Sequence, residues 1–71
     1  MKNPDEIARF TVRLRELRKA KKMSQQELAN EADIDKKTLQ RIETGKMNPS
    51  LDILISIAKG LNMPLDALLS L

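Results

Sequence analysis

Apolar residues fall along this chain with a helical period from end to end. Ile7, Phe10, Leu14 and Leu17 recur at i, i+3, i+7 and i+10, one stripe of an amphipathic helix. That stripe predicts a first helix over residues 4–21, with Pro4 suited to its first turn and Asp5 and Glu6 at the positive end of its dipole. A second, shorter pattern buries Leu28, Ala29 and Ala32 over residues 25–31. Ser24 with Glu27 three residues on is a capping box that would start it. A third helix is expected over residues 36–44, capped by Asp35, with Leu39 and Ile42 inward and Gly45 closing it in the left-handed conformation. The turn Ala32-Asp33-Ile34 is so short that these two helices must cross steeply. Ser50 can cap a fourth helix whose inward residues are Leu54, Ile57, Ala58 and Leu61. Asn62 is suited to a left-handed closing position, and Pro64 can open a last short helix through Leu69. No stretch alternates with the period of a strand, so the expected fold is all-α, a single domain over residues 1–71.

Composition narrows the chemistry. In a chain of 71 residues with no Cys and no His, neither a disulfide nor a zinc staple can support the small core. No Tyr or Trp is present either, so nothing titrates near neutral pH unless a Glu or Lys is strongly shifted. The serines lack an imidazole to activate them. Glu27 and Glu31 lie one turn apart but read as solvated charges. The two glycines, Gly45 and Gly60, make no phosphate-cradling loop, and soft or imidazole metal donors are missing. The expectation is a protein that is not an enzyme and uses no cofactor or metal. Its longest aliphatic run, Ile53-Leu54-Ile55, is far below the roughly 20 residues of a membrane span, and the amino-terminal residues lack an apolar signal segment. A cytoplasmic protein is expected.

Charge is unevenly placed. Residues 1–46 hold twelve of the thirteen Lys and Arg and eight of the ten acids, a net +4 against −1 for the remainder. Arg9, Arg13, Arg15, Lys19, Lys21 and Lys22 are expected mostly to solvate the first helix. Lys36, Lys37, Gln40 and Arg41, by contrast, share the face of the third helix opposite Leu39 and Ile42. A short, firmly held helix with long cationic and amide side chains outward suits the major groove of DNA.

Residues 14–69, LRELRKAKKMSQQELANEADIDKKTLQRIETGKMNPSLDILISIAKGLNMPLDALL, resemble the Cro/repressor-type helix-turn-helix family, often called the XRE family. The shared elements are L-R-x-x-R-x-x-x-x-x-SQ-x-x-LA, T-L-x-x-I-E-x-G-K-x-x-P, L-x-x-I-A-x-x-L and L-x-x-L-L. The resemblance implies a compact five-helix, lambda-repressor-like DNA-binding domain with its motif at about residues 24–43. It further implies that Lys36, Lys37, Gln40 and Arg41 sit at the base-reading positions, with Lys36 or Arg41 expected to touch only phosphate, and that Gln25 with the amino terminus of the second helix, Lys46 and Asn48 grip phosphates. Arg15, Lys19 and Lys22 are weaker phosphate candidates. Arg18 would pair with Glu43 as a structural link. Asp33 departs from the family, which usually has Gly in the turn, but Asp tolerates the left-handed region better than most residues.

Met63, Leu65, Leu68, Leu69 and Leu71 offer more aliphatic surface than a five-residue helix can bury; half of it is expected to cover the small core, and the remainder suggests a homodimer contact, an arrangement common in the family it resembles. Two recognition helices would then lie about 34 Å apart, matching a palindromic operator. The function implied is a sequence-specific transcriptional regulator of bacterial or phage origin, by default a repressor, with double-stranded DNA as partner. No small-molecule effector is expected. An antitoxin-like module with a toxin as partner and a restriction–modification controller are the alternatives, and polymerase is a further possible protein partner.

Overall fold

A computed structural model describes residues 3–70. These residues form five helices and no strand: α1 Pro4–Ala20, α2 Gln25–Ala32, α3 Lys36–Glu43, α4 Leu51–Gly60 and α5 Leu65–Leu68. The expected boundaries shift by one residue at most places: α2 runs one residue further, to Ala32, while the other terminal turns close earlier than the apolar pattern does. Thus α1 ends at Ala20, α3 ends at Glu43 with Thr44 as its cap, and Pro64 caps α5 instead of lying within it.

Three helices begin on a side-chain cap. The Ser24 hydroxyl accepts from the Glu27 N–H at 3.0 Å while Glu27 accepts from the Ser24 N–H at 2.9 Å, so two otherwise unpaired donors are satisfied reciprocally. Asp35 accepts from the Thr38 N–H at 3.0 Å, and Ser50 accepts from the Ile53 N–H at 3.1 Å. Four helices end alike. After α1, α2, α3 and α4 a left-handed residue reverses the chain, at Lys22 (φ 58°), Asp33 (φ 56°), Gly45 (φ 74°) and Asn62 (φ 57°). The next N–H then reaches back: Met23 to the Arg18 carbonyl, Ile34 to Ala29, Lys46 to Arg41 and Met63 to Ala58, all at 2.9–3.1 Å. This is the Schellman closure, which satisfies carbonyls the helix leaves open. Asp and Asn accept the left-handed region readily, whereas Lys22 carries a steric cost.

The core gathers Phe10 and Leu14 of α1, Leu28, Ala29 and Ala32 of α2, Leu39 and Ile42 of α3, Ile57 and Ala58 of α4, Leu61, and Leu68 of α5. Ile7, Leu17 and Leu54, expected inward, are half-buried at its rim. At Gly60, α2 and α4 approach closely. A Cβ placed there would stand 3.0 Å from the Ala32 nitrogen and 3.1 Å from Leu28 Cδ1. Gly60 therefore sets the separation of these two helices, a role with no local signal in the sequence.

Two arginines of α1 do more than solvate it, contrary to the expectation from composition. Arg13 donates from Nε to the Leu68 carbonyl at 3.2 Å and from Nη2 to the Ala67 carbonyl at 2.6 Å. It thereby caps the carbonyl end of α5, where a cation also complements the dipole. Arg15 donates from Nη1 to the Glu43 carbonyl at the end of α3.

Candidate nucleic-acid interface

The α2–turn–α3 unit projects one polar surface. Leu39 and Ile42 are at most 1% exposed, so α3 is seated on the core through one side. Lys36, Lys37, Gln40 and Arg41 all lie exposed on the other. The Asp35 cap fixes the start of α3, and the Thr38 side chain and N–H hold the Asp35 carboxyl below its ordinary range. At the start of α2 the Ser24 N–H, followed by the Ser24 side chain, lowers Glu27 in the same way. Both carboxylates are thus favoured in the charged form that the caps require.

The end of α3 is fixed by a buried network. Arg18 and Glu43 form a two-pronged pair, Nε to Oε2 at 2.7 Å and Nη2 to Oε1 at 3.1 Å, with their side chains 11% and 1% exposed. The third arm of the guanidinium, Nη1, donates to the Met23 carbonyl at 3.0 Å. Gln25, half-buried as the first residue of α2, donates from Nε2 to Glu43 Oε1 at 3.0 Å. One carboxylate therefore joins the ends of α1 and α3 to the beginning of α2. Arg18 is fully engaged here and is not a free cation on the surface. The contact of Gln25 with Glu43 could not be foreseen from the spacing of the two residues.

Lys46 and Asn48 are exposed in the loop that follows Gly45, on the carboxyl-terminal side of α3. Lys19 and Lys22 are exposed at the end of α1, whereas Arg15 is half-buried against Glu43.

The proposed dimer residues separate. Leu68 is 0% exposed and belongs to the core of its own chain; it is not available to a second subunit. Met63 and Leu65 are half-buried against the same core. Leu69 is 42% exposed and lines a groove of about 310 Å³ with Ile7, Phe10, Pro49 and Leu54. Leu71 lies outside the described residues. Val12 and Leu51 are exposed apolar residues that the sequence pattern did not single out. Among the described residues no group of three or more metal-binding side chains gathers, and no helix is long and apolar enough to cross a membrane.

Known proteins share this arrangement. A Helix-turn-helix family profile matches residues 14–68. The chain is 37% identical over 54 residues to an uncharacterized HTH-type transcriptional regulator, y4dL, of Sinorhizobium fredii; the match covers 76% of this chain but 28% of that protein. Its structure superposes on the crystal structure of the restriction–modification controller protein C.AhdI from Aeromonas hydrophila with a TM-score of 0.86 and 34% identity, covering 90% of this chain and 97% of the other. These matches, over the capped helix pair and the outward face of α3, show that the chain belongs to the XRE-type helix-turn-helix family.

Proposed function

We propose that α3 enters the major groove of duplex DNA, with Lys36, Lys37, Gln40 and Arg41 toward the base edges and Gln25, Lys46 and Asn48 on the flanking phosphates. The observation that carries this reading is the division of α3 itself: the apolar anchors Leu39 and Ile42 buried, four long polar side chains exposed. Lys and Arg favour guanine O6 and N7, and Gln favours adenine N6 and N7. Lys46 and the loop after it contribute sequence-independent attraction.

The regulator acts as a homodimeric, non-catalytic repressor in the cytoplasm, on an operator with two-fold symmetry. Exposed Leu69 and the groove beside it support a subunit contact. Selection of bound duplexes from a random pool tests the reading directly, since it yields sequence, symmetry and half-site spacing together. The Lys37→Ala/Gln40→Ala variant should lose discrimination among the selected sequences. Lys46→Ala should weaken all of them alike and reduce the salt slope by about one. Equal wild-type affinity for the selected and scrambled duplexes would refute specific reading.

One narrower reading has an observation in its favour. The likeness to C.AhdI runs through nearly the whole of both chains, which supports a controller of restriction–modification genes. An encoded methyltransferase and endonuclease beside the gene, with the selected operator upstream of them, would establish it.

A further inference from the structure

The amide of Gln25 and the carboxylate of Glu43 belong to different parts of the interface, one at the start of α2 and the other at the end of α3. Resting on the DNA-binding reading above, we infer that Glu43 is a positioning residue for the phosphate grip. Through a single oxygen it sets the Gln25 amide in its DNA-facing orientation and couples that grip to the reading helix.

The geometry is specific on two counts. Glu43 Oε1 accepts from Arg18 Nη2 at 3.1 Å and from Gln25 Nε2 at 3.0 Å, and a carboxylate accepts but cannot donate. Only the nitrogen of the Gln25 amide can therefore face it, which fixes which way the amide is turned. One N–H is used on Glu43, and the amide's second N–H remains for a phosphate oxygen. Second, the carboxylate is itself immobile. Arg18 holds both its oxygens, and Glu43 is the last residue of α3, whose carbonyl Arg15 holds as well. A free glutamine would lose its rotamer freedom on binding. Here that freedom is already lost in the unbound protein, so the contact to phosphate is preorganised. The same anchor fixes the distance between the phosphate gripped at α2 and the bases met by α3. The buried pair thus has a part in recognition, besides holding α1 to α3.

Two measurements test this. In the free protein, side-chain amide relaxation by NMR should find the Gln25 NH₂ rigid and that of exposed Gln40 mobile. Equal mobility would overturn the inference. Affinities for the selected duplex and for a mixed-sequence duplex at low salt are then measured for Gln25→Ala, Glu43→Gln and the double variant. A Gln at position 43 has one oxygen where Glu43 has two; with that oxygen on Arg18 Nε, its NH₂ faces both Arg18 Nη2 and Gln25 Nε2. Gln25→Ala should weaken both duplexes by about tenfold, as for one hydrogen bond to a charged group. Glu43→Gln should do the same in the wild-type background, yet change affinity by less than about twofold once Gln25 is Ala. An equal loss in both backgrounds would mean that Glu43 acts on the scaffold alone, and would overturn the inference. If Glu43→Gln fails to fold, the NMR comparison and the Gln25→Ala affinities decide. Wild-type binding with no loss in Gln25→Ala would remove the phosphate contact, and the inference with it, while leaving the reading helix intact. No wild-type binding to either duplex would remove the DNA reading itself.

Discussion

Replacing Arg18 by Met leaves the Glu43 carboxylate, whose residue is 0% exposed, with Gln25 Nε2 as its one remaining side-chain donor. Replacing Glu43 by Leu instead leaves a guanidinium only 11% exposed with no counter-charge at its fork. Breaking a buried pair from one side costs about 3–5 kcal/mol, because the surviving charge stays desolvated. A domain of this size has a total stability of about 4–10 kcal/mol, so each single variant should lose from about a third to all of it. Their melting temperatures should fall by at least about 12 °C. The double variant Arg18→Met/Glu43→Leu removes both charges and fills the space with apolar atoms. It should recover to within about 1 kcal/mol of wild type, since a buried ion pair and a well-packed apolar replacement are often equivalent. It is not expected to exceed wild type, because the bonds to the Met23 carbonyl and to Gln25 are also lost. With no Trp or Tyr in the chain, unfolding is followed by far-ultraviolet circular dichroism in urea, at one fixed protein concentration so that association does not shift the midpoint. A double variant whose loss equals the sum of the two single losses would refute the reasoning.

Three further outcomes are expected. Lys22→Gly should raise stability by about 0.5–1 kcal/mol by relieving a left-handed conformation at an exposed lysine, and an unchanged midpoint in urea would refute that. Gly60→Ala should lower it by a net of about 0.5–2 kcal/mol: overpacking against the Ala32 backbone outweighs the gain in helix propensity, and a raised melting temperature would refute the steric argument. Glu27 and Asp35 are held below their ordinary pKa in the folded chain. Their contribution is therefore present above the unfolded values and lost as pH falls below about 4 through the lowered native ones. Asp35→Ser, which keeps a cap without a titrating group, should lose less on acidification than wild type does in parallel thermal melts.

Local features made much of this architecture legible. Ser24, Asp35 and Ser50 announce helix starts because capping chemistry acts within three residues. Gly45 and Asn62 announce stops for the same reason, and the outward set on α3 follows from period alone. Longer-range determinants were hidden. Arg13 and Arg15 look like other surface arginines until folding brings the carbonyl ends of α5 and α3 beside them. Gly60 resembles a weak helix residue until α2 lies against it. The apolar residues around Leu68 look too many for so short a helix to bury, and only the assembled core shows that Leu68 itself lies wholly inside. The link between Arg18 and Glu43 followed from family likeness, but the third member of that network, Gln25, is visible only in three dimensions.

The hold of Arg13 on Ala67 and Leu68 spans 54 and 55 positions of sequence, so the opening and closing segments of the domain form a noncovalent hoop. Closing so long a loop is entropically unfavourable, and a four-residue helix has almost no stability of its own. The turn at α5 is consequently steadied both by its seat in the core and by the grip of Arg13 from α1. Deuterium uptake there becomes a remote gauge of how firmly the opening segment is docked.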